Sequence, residues 1–289
     1  MRLLVVNPNA SHEMTQSIKA CAQGYARPDT KIVAMNPQKG PASIEGFFDD
    51  AIAVEATLDL LIGQRGKFDA YIIACGADSG IFAAREIMKA PVVGIGEAGV
   101  LTACMLGYRF SILDALDREW PQMIDLVHRY GMKDRCVSIR TLGMTVLETE
   151  TKTGSVLHRL LEEARKAIEQ DRAEVIVLGC AGMSGLDKEM EKSLGVPVLD
   201  GVVCAVKMAE GLVDYGVTTS KASAFRYPEP KVFKNCSDGF TSVASQKDPG
   251  WCRNGRVDDS GSKQTLIRWS FGGDRRAAVS SDSASDILR

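Results

Sequence analysis

Short apolar runs recur along the first 215 residues: LLVV (3–6), AYII (70–73), PVV (91–93), FSIL (110–113), VIVL (175–178) and PVL (197–199). Runs of this length, bounded by turn-forming residues, suit strands buried on both faces of a parallel sheet. Between them the apolar positions follow a helical period. Leu157, Leu160, Leu161, Ala164 and Ile168 share one face, with Glu162, Glu163 and Lys166 on the polar side. Strand and helix in alternation predict an α/β fold.

The chain also repeats itself. AYIIACGADSG (70–80) aligns with VIVLGCAGMSG (175–185) at a shift of 105, superposing Cys75 on Cys180, Ser79 on Ser184 and Gly80 on Gly185. APVVG (90–94) and VPVLD (196–200) follow in turn, and upstream RLLVVNP (2–8) pairs with RFSILDA (109–115) at a shift of 107. Three matches in one order at nearly one offset predict a duplication. The expected architecture is two pseudo-symmetric three-layer α/β lobes with mainly parallel sheets and an active site in the cleft between them. Residues 1–98 with about 205–231 would form the first lobe and residues 99–204 the second.

Both repeated cysteines stand directly after a strand, at the carboxyl end where open α/β sheets bind ligands. Helix patterns follow at 81–89 and 186–194. Each thiol is therefore expected near a helix N-terminus, where free N–H groups and the helix dipole lower a thiol pKa. Two matched groups facing each other, one protonated and one not, can remove a proton from one face of a carbon and return another to the opposite face. The backbone N–H groups of Gly76, Ala77, Ala181 and Gly182 are candidates to stabilise the oxyanion so formed. Such chemistry requires no metal and no cofactor.

A competing signal lies at 94–99, where GIGEAG is a Gly-x-Gly-x-x-Gly behind an apolar run, with Asp114 twenty positions after its first glycine. That arrangement is the dinucleotide fingerprint. Its copy in the second half, DGVVCA (200–205), loses the glycine spacing, and the helix pattern at 100–106 is short for a nucleotide-binding crossover. The glycines are better read as a close approach of backbone to the ligand, with Glu97 as a contact and Asp114 as a pocket residue.

Composition narrows the partners. The 289 residues are 45% hydrophobic and 25% charged with a formal net charge of −2, which leaves no basic footprint for nucleic acid and no polybasic membrane stretch. The apolar start of the chain breaks at Asn7-Pro8, too short for a signal segment, so a cytoplasmic protein acting on a small molecule is expected. The eight cysteines include no Cys-x-x-Cys pair, which argues against zinc and redox motifs. Cys21, Cys104, Cys136 and Cys204 read as small buried hydrophobes. The three histidines, His12, His128 and His158, fall on predicted solvated helix faces, leaving no imidazole at a strand end for a thiol hydrolase.

NPNAS (7–11), PASIEGFFDDA (41–51), IIAC with Asp78 and Gly80, AARE (83–86), VVGIGEA (92–98), VLGCAGMSGL (177–186) and VPVLDGV (196–202) together resemble the hydantoin racemase group of the aspartate/glutamate racemase superfamily, which includes allantoin racemases. The resemblance covers roughly residues 1–231. It implies two α/β lobes, no cofactor, and racemisation of 5-monosubstituted hydantoins, with Cys75 and Cys180 as acid and base on the C5 proton. It also implies a homo-oligomer. Asn7 could donate to a ring carbonyl or serve as a turn residue, and Ser43 and Glu45 could line the cleft or organise a loop. Asp78, Ser79, Glu97 and Met183 join Gly76, Ala77, Asp114, Ala181 and Gly182 as candidate binding positions.

The chain departs from the pattern in two places. Many relatives carry an aromatic or hydrophobic residue, then acid or glycine and proline, after the first cysteine; here the run is Gly76-Ala77-Asp78-Ser79. Where many have paired threonines after the strand at 110–113, this chain has Asp114-Ala115. Residues 232–289, rich in Ser, Gly and charge, fall outside the resemblance and are expected to be disordered. Allantoin or an amino-acid-type substrate, and ligand binding without turnover, remain open as alternatives.

Overall fold

The structure is a computed structural model that describes residues 1–229, 231, 233 and 240. The tail expected to be disordered lies outside the described residues, apart from Phe233 and Phe240. The first half runs β1 (Arg2–Val6), α1 (His12–Tyr25), β2 (Lys31–Met35), α2 (Phe47–Gly63), β3 (Ala70–Ile73), α3 (Ile81–Ile87), β4 (Val92–Gly94) and α4 (Ile95–Leu106). The second runs β5 (Phe110–Asp114), a 3₁₀ turn (Asp117–Glu119), α5 (Trp120–Arg129), β6 (Cys136–Thr141), α6 (Val146–Glu150), α7 (Gly154–Glu169) and β7 (Val175–Leu178). It ends with a 3₁₀ turn (Ala181–Met183), α8 (Asp187–Leu194), β8 (Val198–Asp200) and α9 (Gly201–Tyr215).

Among the described residues the strands form two four-stranded sheets, ordered β2-β1-β3-β4 and β6-β5-β7-β8, and every pair is parallel. The orders are identical under the repeat, which maps β1 onto β5 and β3 onto β7. All six apolar runs are strands. The sequence pattern passed over β2 and β6, which are little buried: β2 buries only Ile32, and β6 is half-buried along its whole length, so its residues CVSIRT carry no apolar run.

The period-2 alternation of a strand sends side chains to opposite layers. Leu3, Val5 and Ile72 join Ile176, Leu178, Val202 and Ala205 in one core shared by both sheets. Leu4, Val6, Tyr71 and Ile73 face the other way onto Leu61, Ile81 and Met88, while Phe110, Ile112, Val175 and Val177 pack on Met123, Leu126 and Val127. Helices α4 and α9, each following the last strand of a sheet, pack against each other, α4 also on β7 and α9 also on β3. Each thereby fixes one sheet against the other.

Candidate active site

Cys75 and Cys180 stand just past the carboxyl ends of β3 and β7, the inner strands of the two sheets. The two strand ends touch there. A Cβ on Gly76 would lie 1.6 Å from the carbonyl oxygen of Gly179, so only glycine allows this approach. Both cysteines line one cavity, which opens to solvent. Ala74, Gly76, Ala77, Gly179 and Ala181 form the floor from the strand ends. Asn7, Pro8 and Asn9 come from the end of β1 and Met14 from α1. Asp114 comes from the end of β5, Glu119 from the turn after it, and Gln122 and Met123 from α5. Ile44 and Val146 face in from the two lobes.

Each sulfur accepts a hydrogen bond from the amide two residues on, Ala77 for Cys75 and Gly182 for Cys180, the latter at 3.4 Å. The thiols are nevertheless less acidic than the sequence suggests. Helix α3 begins only at Ile81, too far along the chain to place its first turn beneath Cys75, and Cys180 caps a single 3₁₀ turn. Burial dominates instead. It pushes Cys75 up to about 12, against the lowering effect of Ser79 and Ala77, with Asp50 and Asp78 adding to the rise. Cys180 is likewise raised, by burial first and then by the carboxyl groups of Glu119 and Asp114. The expected lowering of both thiol pKa values does not hold.

Asp114 and Glu119 form the other titratable pair of the cavity. Asp114 is 2% exposed, its Oδ1 accepts from the Ala115 amide at 2.9 Å, and its buried Oδ2 has no partner. Glu119 accepts from the Leu116 amide at 3.1 Å. Burial raises both carboxyl pKa values, and Asp114 raises that of Glu119 further. Among the described residues no lysine, arginine or histidine lines the cavity, and only Arg118, outside the lining, offsets part of the rise at Glu119.

Several other candidate positions fall elsewhere. The Asn7 amide lines the cavity but its nitrogen already donates to Asn9 Oδ1, Thr15 Oγ1 and the Ser11 carbonyl at 2.7, 3.0 and 3.2 Å, so it is not free to meet a ring carbonyl. Ser43 does not line the cavity; its hydroxyl donates to Glu45, which also accepts from the Val146 amide and so ties the 41–46 loop to the second lobe. The side chain that loop sends inward is Ile44. Ser79 lies behind Cys75 and donates to its sulfur at 3.2 Å. Gly182 backs Cys180, and Met183 is fully buried in the shared core. Glu119, Gln122 and Met123 were missed from the sequence. Their spacing of three and four residues, one helical face starting just past β5, was the signal that could have found them.

Glu97 is not a ligand contact either. It is 7% exposed and its carboxylate is held by Arg85 and by the Gly94 amide. Helix α4 begins at Ile95, inside GIGEAG, and its first turn is occupied by the chain's own anion. Asp78, with its backbone in the left-handed region, accepts from the amides of Gly96 and Glu97 at 2.8 Å each and from the Tyr130 hydroxyl at 2.8 Å. A Cβ at Gly94 would lie 2.1 Å from the Asp78 carboxylate, and one at Gly96 would lie 2.2 Å from the Gly76 carbonyl. The glycines admit a carboxylate where a nucleotide-binding fold admits a pyrophosphate. Asp78 therefore does not line the cavity; it braces the Cys75 loop against α4.

The histidines His12, His128 and His158 are exposed. Of the four cysteines expected to be buried, Cys204 is, while Cys21, Cys104 and Cys136 are only half-buried. Among the described residues no group of three or more His, Cys, Asp or Glu is placed to hold a metal ion, and no helix is long and apolar enough to cross a membrane.

A family model for Asp/Glu/hydantoin racemases matches residues 3–209, both sheets and both cysteines included. The chain belongs to that family. It is a racemase, an isomerase by class. It is 44% identical to a hydantoin racemase of Pseudomonas sp. (strain NS671) over 241 residues, covering 83% of this chain and 97% of the relative. A hydantoin racemase of Rhizobium meliloti is 42% identical over 232 residues, 80% and 96% of the two chains. The solved allantoin racemase from Klebsiella pneumoniae superposes with a TM-score of 0.81 at 38% identity, over 85% of this chain and all of that one.

Proposed function

We propose that the protein racemises 5-monosubstituted hydantoins by a two-cysteine acid/base route that uses no cofactor. The observation that carries this reading is the single cavity lined by Cys75 and Cys180 from equivalent positions after β3 and β7. One cysteine, as thiolate, takes the C5 proton; the electron pair moves into the ring as an enolate, and the other cysteine, as thiol, protonates C5 from the opposite face. With the Ala77 and Gly182 amides turned to the sulfurs, the Gly76 and Ala181 amides are the donors proposed for the enolate oxygen. Asp114 and Glu119 supply hydrogen bonds to the ring, and an acidic wall without a basic side chain disfavours anionic substituents. The substrate is thus a neutral small molecule.

Allantoin is the second candidate substrate, favoured by the superposition on an allantoin racemase. A panel of single enantiomers of allantoin, benzylhydantoin, isobutylhydantoin, aspartate and glutamate, followed by polarimetry, separates the two. Turnover of the hydantoins supports the proposal; turnover of allantoin alone replaces its substrate, and turnover of the amino acids alone overturns it. Cys75→Ser and Cys180→Ser should each lower racemisation by about 10²–10⁴-fold, the usual worth of one positioned acid or base. Wild-type rates in both variants would remove the thiols from the chemistry.

A further inference from the structure

The duplication makes the surroundings of the two thiols directly comparable. Ser79 and Ser184 are equivalent in sequence, each four residues after its cysteine. They are not equivalent in space. The Ser79 hydroxyl donates to the Cys75 sulfur at 3.2 Å, whereas the Ser184 hydroxyl turns away and donates to Asp200 at 3.1 Å. Asp200 also caps α9 through the Val202 amide at 2.8 Å, so Ser184 is held by the fold and unavailable to Cys180.

The ends of β1 and β5 break the symmetry in the same direction. Asn7 and Asp114 are equivalent under the repeat, one a neutral amide and the other a carboxyl group. Cys180 thus faces Asp114 and Glu119 as well as Cys75, and among the described residues the Gly182 amide donates to it. Cys75 faces Asp50 of α2 and Asp78 of its own loop, with two donors, the Ser79 hydroxyl and the Ala77 amide. An anionic sulfur gains from donors and loses beside carboxylates.

We propose that Ser79 is a positioning residue that makes the thiols inequivalent: its hydroxyl makes Cys75 the more readily ionised of the two and so the base of the active pair, while Asp114 and Glu119 keep Cys180 protonated. The inference rests on the acid/base reading above. Once Cys75 is ionised, the enzyme takes the C5 proton there and delivers one from Cys180, ending with a Cys75 thiol and a Cys180 thiolate. Loss of a proton to solvent from Cys75 and uptake of one by Cys180 restore the starting state. The opposite enantiomer requires the reverse exchange first. Because two enantiomers have equal free energies, kcat/KM is the same in both directions, and the inequivalence divides between kcat and KM.

Alkylation of the full-length protein by iodoacetamide across a pH series, with each cysteine followed by peptide mass mapping, tests this. The inflection of each labelling curve reports ionisation independently of how accessible the thiol is. Cys75 should inflect at least about one pH unit below Cys180, a tenfold difference in thiolate fraction at a given pH. Ser79→Ala should raise the Cys75 inflection by about one unit, Ser79→Thr should restore it, and Asp114→Asn should lower the Cys180 inflection alone. A Cys180 inflection at or below that of Cys75 overturns the proposal in the wild-type protein, with no variant required. An unmoved Cys75 inflection in a folded Ser79→Ala protein overturns the role of Ser79. The labelling reads the thiols and polarimetry of the cysteine variants reads the chemistry, so a failure of the racemisation reading is distinguished from a failure here.

Discussion

At the scale of single residues, the two cysteines were legible because a duplicated sequence marks both at once, and a chance thiol has no partner at the same offset. Their ionisation was not legible. A strand followed by a helix pattern suggests a helix dipole beneath the thiol, but the loop of Gly76-Ala77-Asp78-Ser79 delays α3 to Ile81, and the burial of the strand ends decides the outcome. Burial favours the neutral thiol, so the population of the base grows as pH rises. Racemisation should accordingly increase from about pH 6 to about pH 9 without a plateau below pH 8, as initial rates across that range would show. The cavity carboxyls were half legible. Asp114 stood out as a departure after a strand, whereas Glu119, in a 3₁₀ turn, was marked only by its helical spacing to Gln122 and Met123.

At the scale of elements, the well-buried strands could be read from composition, the edge strands β4 and β8 included, whereas β2, which buries only Ile32, and β6, half-buried with mixed residues, could not. GIGEAG shows how a local motif is reassigned by its surroundings. Its glycines serve a helix start capped by Asp78, a contact formed by a residue 18 positions upstream of Gly96. Asp78→Ala leaves the Gly96 and Glu97 amides buried without an acceptor and should cost about 1–3 kcal/mol for each, read as a lower Tm. Burial raises the Asp78 carboxyl to about 7, so its protonated form is favoured by folding. Its contribution is fully present below the unfolded carboxylate pKa of about 4 and is lost as pH rises through about 7. The Tm difference between wild type and Asp78→Ala should therefore be larger at pH 5 than at pH 8. Gly96→Ala, whose Cβ would also lie 2.9 Å from Leu126 Cδ1, should lower stability by about 1–3 kcal/mol through overpacking.

At the scale of the molecule, the repeat shows as two sheets of identical strand order whose carboxyl ends meet at one cavity. Alternating strand and helix patterns, with three matches at one offset, carried that architecture in the sequence. The closeness of the lobes was hidden, since it depends on Gly76 meeting Gly179 across 103 residues of chain. With Asp78 seated at the first turn of α4, a nicotinamide dinucleotide should give no saturable fluorescence change; saturable binding would return GIGEAG to its nucleotide reading. The central claim is that the proton leaves C5 to one thiol and a different proton arrives from the other. Racemisation of a single hydantoin enantiomer in D2O, with both enantiomers separated early in the reaction and analysed for deuterium at C5, tests it most directly. The account predicts deuterium in the product enantiomer while the remaining substrate keeps protium. Product that retains protium, or substrate and product labelled alike from the start, would contradict it.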